Sequence, residues 1–425
     1  MKKEALVALV MGAALLIICT AGTGGLEAAR QIEVWSFYRL FYGGYGQSGQ
    51  VDQTQSLLDR FTKETKIQVN IEYIGRNNME EALEQLRQGR GPDVIIGDVD
   101  AEYLSTLDRF IDRWADRRNM MQQFYDRDSR SGAVIGLPLT IIPYGMSYFK
   151  VYFRDAGLDA RSVSSSWEDL EAAVTKLTMG PPSRRAGLET SWNGTFFECL
   201  LLQNGGRFIS TDGRRSLLNS KAAVEALEFM AALFQASRPA DHPVWSTYDW
   251  RFPLQSAMYY GTPTVGRQLA DIAARGADVL GAFAPKRCSS CQTVVRAQPY
   301  MYLRIPKTAR DSQSAWTFVS WMLSRDISVH ISGLFWSLPP RTDVQQQVAR
   351  TQPLLVDWYK MLPNTTADVY KNQAYDAIAP ALFPRSQERQ NSMLFQVLRG
   401  ELRADLVLNQ VHADFQVAID ALLRR

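Results

Sequence analysis

Apolar and polar positions along the chain change their period in a regular order. "IEVWSFY" (32–38) groups β-branched and aromatic residues and predicts a buried strand. In "QTQSLLDRFTKET" the apolar Leu57, Leu58 and Phe61 stand among polar neighbours, which predicts a helix docked on one face. "IQVNIEYI" alternates through Ile67, Val69, Ile71 and Tyr73, a second strand. "NMEEALEQLRQG" sets Met79, Leu83 and Leu86 on one side of a helix that stops at Gly89, and "DVIIGDV" then predicts a third strand. Strand and helix in alternation predict an α/β fold, a parallel sheet with helices on its faces.

Ligands of such sheets gather at the carboxyl ends of the strands, where the loops open into a crevice. Asp98 follows the buried run 94–96 and so falls at that edge, beside Trp35 to Tyr38 at the end of the first strand. Two roles are open to it. It can belong to a binding rim, or it can cap the following stretch "DAEYLSTLDRF", a task that Asp100 could fill equally well.

Further on, "IGLPLTIIPYGMSYFKVYFRDAGL" reads as a strand punctuated by proline, then a second strand rich in tyrosine. "SWEDLEAAVTKLT" is a helix with Ser166 as its cap and Asp169 at the third helical position. "NGTFFECLLLQNGG" and "NSKAAVEALEFMAALFQ" are further helices, the second begun by Asn219. The chain has no fixed-period repeat, Gly-rich phosphate loop, HExxH or GxSxG.

Length and composition extend this picture. At 425 residues two lobes are expected, and 46% apolar with 11% aromatic residues is ample for real cores. Net charge is only +3, with no basic block, so nothing points to nucleic acid. The first residues differ from the rest. "MKKEALVALVMGAALLIICTAGTGGLEAAR" has a positive start, an apolar middle and a small-residue exit, the layout of a secretory signal over residues 1–29. Its apolar run is slightly short for a spanning helix. Cleavage of that leader and lipidation of Cys19 both fit, so contact with a membrane is expected only through a signal or a lipid anchor. Cys288 and Cys291 form "CSSC" in a polar loop. With only His242, His330 and His412 elsewhere, they lack a second pair of zinc ligands, and no metal or cofactor is expected. In an oxidising compartment they read as a local disulfide, with a redox-active pair as the alternative.

Five patches resemble extracellular solute-binding protein family 1, the subunit that feeds sugar-type ABC importers. They are "LLDRFTKETKIQVNIEYI", where Lys66 stands in place of the family's Gly, and "ALEQLRQGRGPDVIIGD". "GAVIGLPLTIIPYGMSYFKVYFRDAGL" follows, with Phe149 where the family often has Asn. "SSWEDLEAAVTKLT" and "AWTFVSWMLSRDISVHISGLFWSLPPRTDV" complete the set. They occur in family order over most of the chain.

The resemblance implies a two-lobe periplasmic-binding-protein-like fold, each lobe a sheet flanked by helices, with three hinge crossings. These crossings should fall near Leu139–Tyr144, Pro299–Arg304 and Phe335–Leu338. One lobe would hold residues 30–140 and 300–335, and the other 141–299 and 336–425. The implied activity is capture of a small-molecule solute, a sugar or oligosaccharide, between the lobes and its delivery to ABC permease transmembrane subunits. No catalysis is implied. The protein would be a monomer in the periplasm or on the extracytoplasmic face of the cell membrane. Flat aromatic faces suit sugar rings, and polar side chains suit their hydroxyls. Trp35, Tyr38, Tyr42, Asp98, Tyr144, Trp192, Tyr260 and Trp336 are the candidate ligand contacts. An exported carbohydrate-active enzyme is the competing class. It needs two facing carboxylates, for which Asp98, Glu189, Glu198 and Asp249 qualify by type but by no convincing spacing. A binding protein for a non-sugar solute is the other alternative.

Overall fold

The computed structural model describes residues 30–38, 49–75, 78–128, 130–180, 185–190, 192–237, 256–264, 280–367 and 392–424. The leader, with Cys19, and the candidates Tyr42 and Asp249 lie outside the described residues.

Two sheets organise the chain. The first has seven strands and contains β1 (Arg30–Ser36), β2 (Ile67–Tyr73), β3 (Val94–Ile96), β4 (Asp126–Arg127), β5 (Val134–Pro143), β10 (Val295–Arg304) and β11 (Thr365–Ala367). Their order is β2-β1-β3-β10-β5-β4, with β11 beside β10. β1 is parallel to β2 and β3, as the strand–helix alternation predicts, whereas β10 runs antiparallel to β3 and β5. The second sheet orders β7 (Ala186–Glu189), β8 (Ser256–Gly261), β6 (Gly145–Phe149) and β9 (Leu280–Phe283) as β7-β8-β6-β9.

Each sheet is covered by helices through a core of its own. Leu57, Leu58 and Phe61 of the helix Gly49–Thr65 meet Val34, Val94 and Leu303 of the first sheet. Trp316, Phe318, Val319 and Met322 of the late helix Ser312–Met322 enter the same core, with Phe61 edge-on to Phe318 at 5.2 Å. The second sheet is covered by the helices Trp167–Leu177, Gly194–Gln203 and Lys221–Ala236, and Trp167 stacks on Phe229 at 4.2 Å. The last helix, Ala404–Leu423, docks there through Val407, Val411, Phe415 and Ile419, a four-residue stripe on one helical face.

Local signals account for most element ends. The Ser166 hydroxyl accepts the Asp169 N–H at 3.0 Å, and Asn193 caps the next helix through two N–H groups. Two details differ from the sequence expectation. The helix Lys221–Ala236 is capped by Ser220, whose hydroxyl accepts the Ala223 N–H, and not by Asn219. The tyrosine-rich stretch after β5 is strand only to Phe149, and Lys150–Asp155 is helical.

The segments expected to cross between lobes lie side by side. β5 and β10 pair antiparallel from Leu137↔Leu303 to Pro143↔Ala297, and Leu338 bridges Ile141. Pro138, Pro143 and Pro299 fall in this ladder, where each lacks an N–H to donate. Positions 140 and 299, expected as lobe boundaries, sit inside these continuous strands. The return through 338–361 packs against both crossings, with Trp358 and Leu338 in one core with Ile141 and Val295. Among the described residues no helix is long and apolar enough to cross a membrane.

Candidate ligand-binding site

The carboxyl edge of the first sheet is built around a buried cation. Arg304 ends β10 beside β3 and is 1% exposed. A guanidinium there needs partners for all its donors. Its Nε donates to the Gly97 carbonyl at 2.7 Å, one terminal nitrogen pairs with Asp126, and the other with Asp98 at 2.9 Å. The Asp98 side chain remains 65% exposed. One oxygen is therefore anchored from below while the carboxylate faces solvent. The backbone needs glycine just before it, because Gly97 has φ 153° and a Cβ there would meet Phe37 at 2.5 Å. Neither Asp98 nor Asp100 caps the following turn by its side chain, so the capping alternative for Asp98 falls away.

Tyr38 stands beside this carboxylate. Tyr38, just past β1, meets Tyr300 of β10 at 4.9 Å, ring edge toward ring face, and both are half-buried. Burial, and then the charge of Asp98, push the Tyr38 hydroxyl well above its usual range, so it stays a neutral donor. Along β10, Arg296, Gln298 and Tyr300 alternate and so face one side of the strand. That row leads to Tyr144, between β5 and β6, whose hydroxyl approaches Gln298 Oε1 at 3.5 Å. The Arg296 guanidinium lies 4.7 Å from the Tyr144 ring centre and pairs at 3.0 Å with Glu198 on the helix Gly194–Gln203. Both partners of that pair are buried, at 8% and 1% exposure. Burial raises the Tyr144 and Tyr260 hydroxyls as well.

Of the candidates from sequence, Tyr38, Asp98 and Tyr144 are thus brought onto one strip with Gln298 and Tyr300. Trp336 is half-buried beside the third crossing. It closes the helix Arg325–Phe335 in a left-handed conformation, and its carbonyl accepts the Thr264 hydroxyl at 3.5 Å. Three candidates are core residues instead. Trp35 packs among Ile74, Ala82, Leu86 and Ile95, because the sheet's pleat turns it to the face opposite Val34. Trp192, 2% exposed, meets Phe196 and Phe234 edge-on. Tyr260 lies 3% exposed against Phe196. Sequence reasoning missed Arg304, Gln298 and Tyr300 in the candidate site, and Arg296 as the buried tether beside it. The signal was there: "VVRAQPYMYLR" places two arginines in a largely apolar strand, and a buried cation must have partners.

Cys288 and Cys291 are joined by a disulfide, and Cys199 is buried outside it. Among the described residues no cluster of histidine, cysteine and carboxylates could hold a metal ion. Of the four carboxylates weighed for catalysis, Asp98 and Glu198 each engage a different arginine, Glu189 accepts the Thr190 N–H, and Asp249 lies outside the described residues.

The profile of the family described as bacterial extracellular solute-binding protein matches residues 47–327. The chain belongs to that family. It is a family of binding proteins, not enzymes, and its members work outside the cytoplasm. No curated protein sequence matches the chain. Among solved structures, the cyclic α-maltosyl-1,6-maltose binding protein of Arthrobacter globiformis aligns with a TM-score of 0.72 and 17% identity, over 92% of this chain and 99% of the other. The sugar-binding protein MalE of Xanthomonas citri gives 0.72 and 16%, over 92% and 98%. An ABC transporter solute-binding protein of Thermotoga lettingae, bound with α-D-tagatose, gives 0.67 and 18%, over 92% and 100%. At such identities the likeness is one of fold. The solute-binding protein has the two-lobe α/β architecture of these relatives.

Proposed function

We propose that this protein captures a carbohydrate against the strip from Asp98 to Tyr144 and hands it to the transmembrane subunits of an ABC importer. The observation that carries the reading is Asp98, exposed beside the Tyr38–Tyr300 pair yet anchored by buried Arg304. A fixed carboxylate accepts two sugar hydroxyls, while tyrosine rings cover the apolar C–H faces of the ring. Gln298 adds a donor and an acceptor between the two tyrosine groups. The sugar ligands named for the structural relatives support the same class.

The strip adjoins the crossings, where relative movement of two lobes acts most directly on a bound solute. A solute drives closure only by contacts it makes better in the shut form. The lobes would be 30–140 with 300–335, and 141–299 with 336–425. Residues 1–29 would direct export, with cleavage or lipidation at Cys19, leaving a monomer at the outer face of the membrane or in the periplasm.

Titration calorimetry of the purified protein with mono- and oligosaccharides is the test. One equivalent of an oligosaccharide bound and recovered uncleaved is the expected result. Release of shortened products would establish an enzyme, and saturable binding of amino acids or ions alone would overturn the sugar assignment.

A further inference from the structure

A second pocket lies away from that strip, on the outer helical layer of the first sheet. It has a volume of about 570 Å³ and is lined by residues of the short helix Asp108–Ile111, the turn after it and the start of the helix Ser312–Met322. None of its residues belongs to the proposed sugar site. Its size is that of a small-molecule site.

The walls are aromatic. Trp316, 7% exposed, stacks on Phe110 with ring centres 5.2 Å apart and planes 10° apart. Trp114 stands against Trp316 at 5.6 Å and 88°. Two aromatic surfaces at a right angle make a corner that takes a flat ring, face on one wall and edge on the other. The rim is cationic. Arg109 and Arg113 are exposed, one helical turn apart, with the Arg109 guanidinium 4.6 Å from the Phe110 ring. Like charges at that spacing repel.

The carboxylates nearby are engaged elsewhere. Asp108 accepts the Val134 N–H, Asp112 pairs with Arg117, Asp116 pairs with Arg341, and Asp311 caps the late helix. Among the described residues no carboxylate pairs with Arg109 or Arg113. Gln313, also exposed, adds an amide to the rim.

We propose that this pocket binds a small carboxylate carried on a ring with an apolar face, with the ring in the Trp114–Trp316 corner and the carboxylate between Arg109 and Arg113. Such a ligand supplies the anion that separates the two guanidinium groups and the face that covers the half-buried Trp114 indole. Aromatic acids and ring-form sugar acids share this chemistry.

Calorimetry with benzoate, glucuronate, benzyl alcohol, glucose and inorganic phosphate tests it on the full mature chain. At least one of the two carboxylates should bind saturably, and more weakly as salt is raised. Which of them binds tighter identifies the source. Arg109→Gln with Arg113→Gln, two exposed positions, should lose at least about tenfold, the loss expected for charge-assisted hydrogen bonds, with melting temperature unchanged. Asp98→Asn should leave this binding untouched, which separates it from the sugar site. Trp114→Ala should weaken it also. Binding of benzyl alcohol as tightly as benzoate, binding of glucose as tightly as glucuronate in the Asp98→Asn variant, binding of phosphate as tightly as either acid, carboxylate affinity unaltered in the double variant, or no carboxylate binding at millimolar concentration would each overturn the proposal.

Discussion

Two arginines of the same strand, eight residues apart, are treated in opposite ways. Arg296 pairs with Glu198 where both side chains are sealed from water, at 8% and 1% exposure. Arg304 is just as buried, yet one of its carboxylates, Asp98, is 65% exposed. The first arrangement is closed to solvent and holds the helix Gly194–Gln203 to β10. The second uses a buried cation to orient a carboxylate that water, or a sugar hydroxyl, can reach. On the proposed reading, where a charge pair meets solvent, and not its distance, separates the tether at Arg296 from the binding group at Asp98.

The largest effect should come from breaking the sealed pair. Glu198→Gln removes a carboxylate paired with the buried Arg296, and loss of one partner of a buried pair costs about 3–5 kcal/mol. Chemical denaturation should show it as a lower midpoint with no ligand present. Replacing both members, Glu198→Leu with Arg296→Met, should restore most of that stability, since a hydrophobic pair of similar volume is roughly neutral against a buried ion pair. A double variant no more stable than the single one would show that the pair does more than fill space.

Asp98→Asn should do the reverse. With most of its side chain in water, the change should leave apo stability within about 0.5 kcal/mol. The affinity for the bound sugar should fall by about 1.5–3 kcal/mol, the worth of hydrogen bonds to a charged acceptor. Calorimetry and thermal unfolding of one preparation give both values. A fall in stability without a fall in affinity would make Asp98 a structural partner of Arg304 like Asp126, and the contrast between the two arginines would collapse.

Tyr300→Ala should be smaller still. It strips one face from the Tyr38–Tyr300 pair and should weaken binding by about 1–2 kcal/mol, from lost apolar contact. Tyr300→Phe should bind nearly as the parent if the ring face is what the sugar uses, and as poorly as the alanine variant if the hydroxyl is.

The contrast also explains what was legible in the sequence. Period changes and caps located the strands around Val34, Ile71 and Ile95 and the helix begun by Ser166, because these are local signals. The order of the family patches carried the two-lobe fold. The faces of the aromatics were not legible. Strands of a parallel sheet are buried on both sides, so a tryptophan at a strand end has no polar neighbour to mark which way it points. Trp35 went to the core and Tyr38, three residues later, to the edge. Arg304 and Arg296 required the opposite inference, that a charge inside an apolar strand implies a partner distant in sequence: Asp126 for one and Glu198 for the other.

The smallest effect tests a departure that the sequence itself exposed. Lys66 stands where the resemblance to the solute-binding family expects glycine, and it adopts φ 63° just past the helix Gly49–Thr65, with its N–H on the Thr62 carbonyl at 2.9 Å. A left-handed residue after a helix is the usual place for glycine, because a Cβ there costs about 1–2 kcal/mol. Lys66→Gly removes that strain but lets the unfolded chain roam more widely, a loss of about 0.5–1 kcal/mol. The difference favours glycine by about 0.5–1 kcal/mol. Denaturant unfolding should show a slightly higher midpoint with an unchanged slope, and sugar affinity should not move, since the site lies at the opposite end of β2 from Lys66. A destabilised glycine variant would mean that the lysine side chain holds the turn, and the family pattern would then say nothing about strain at this position.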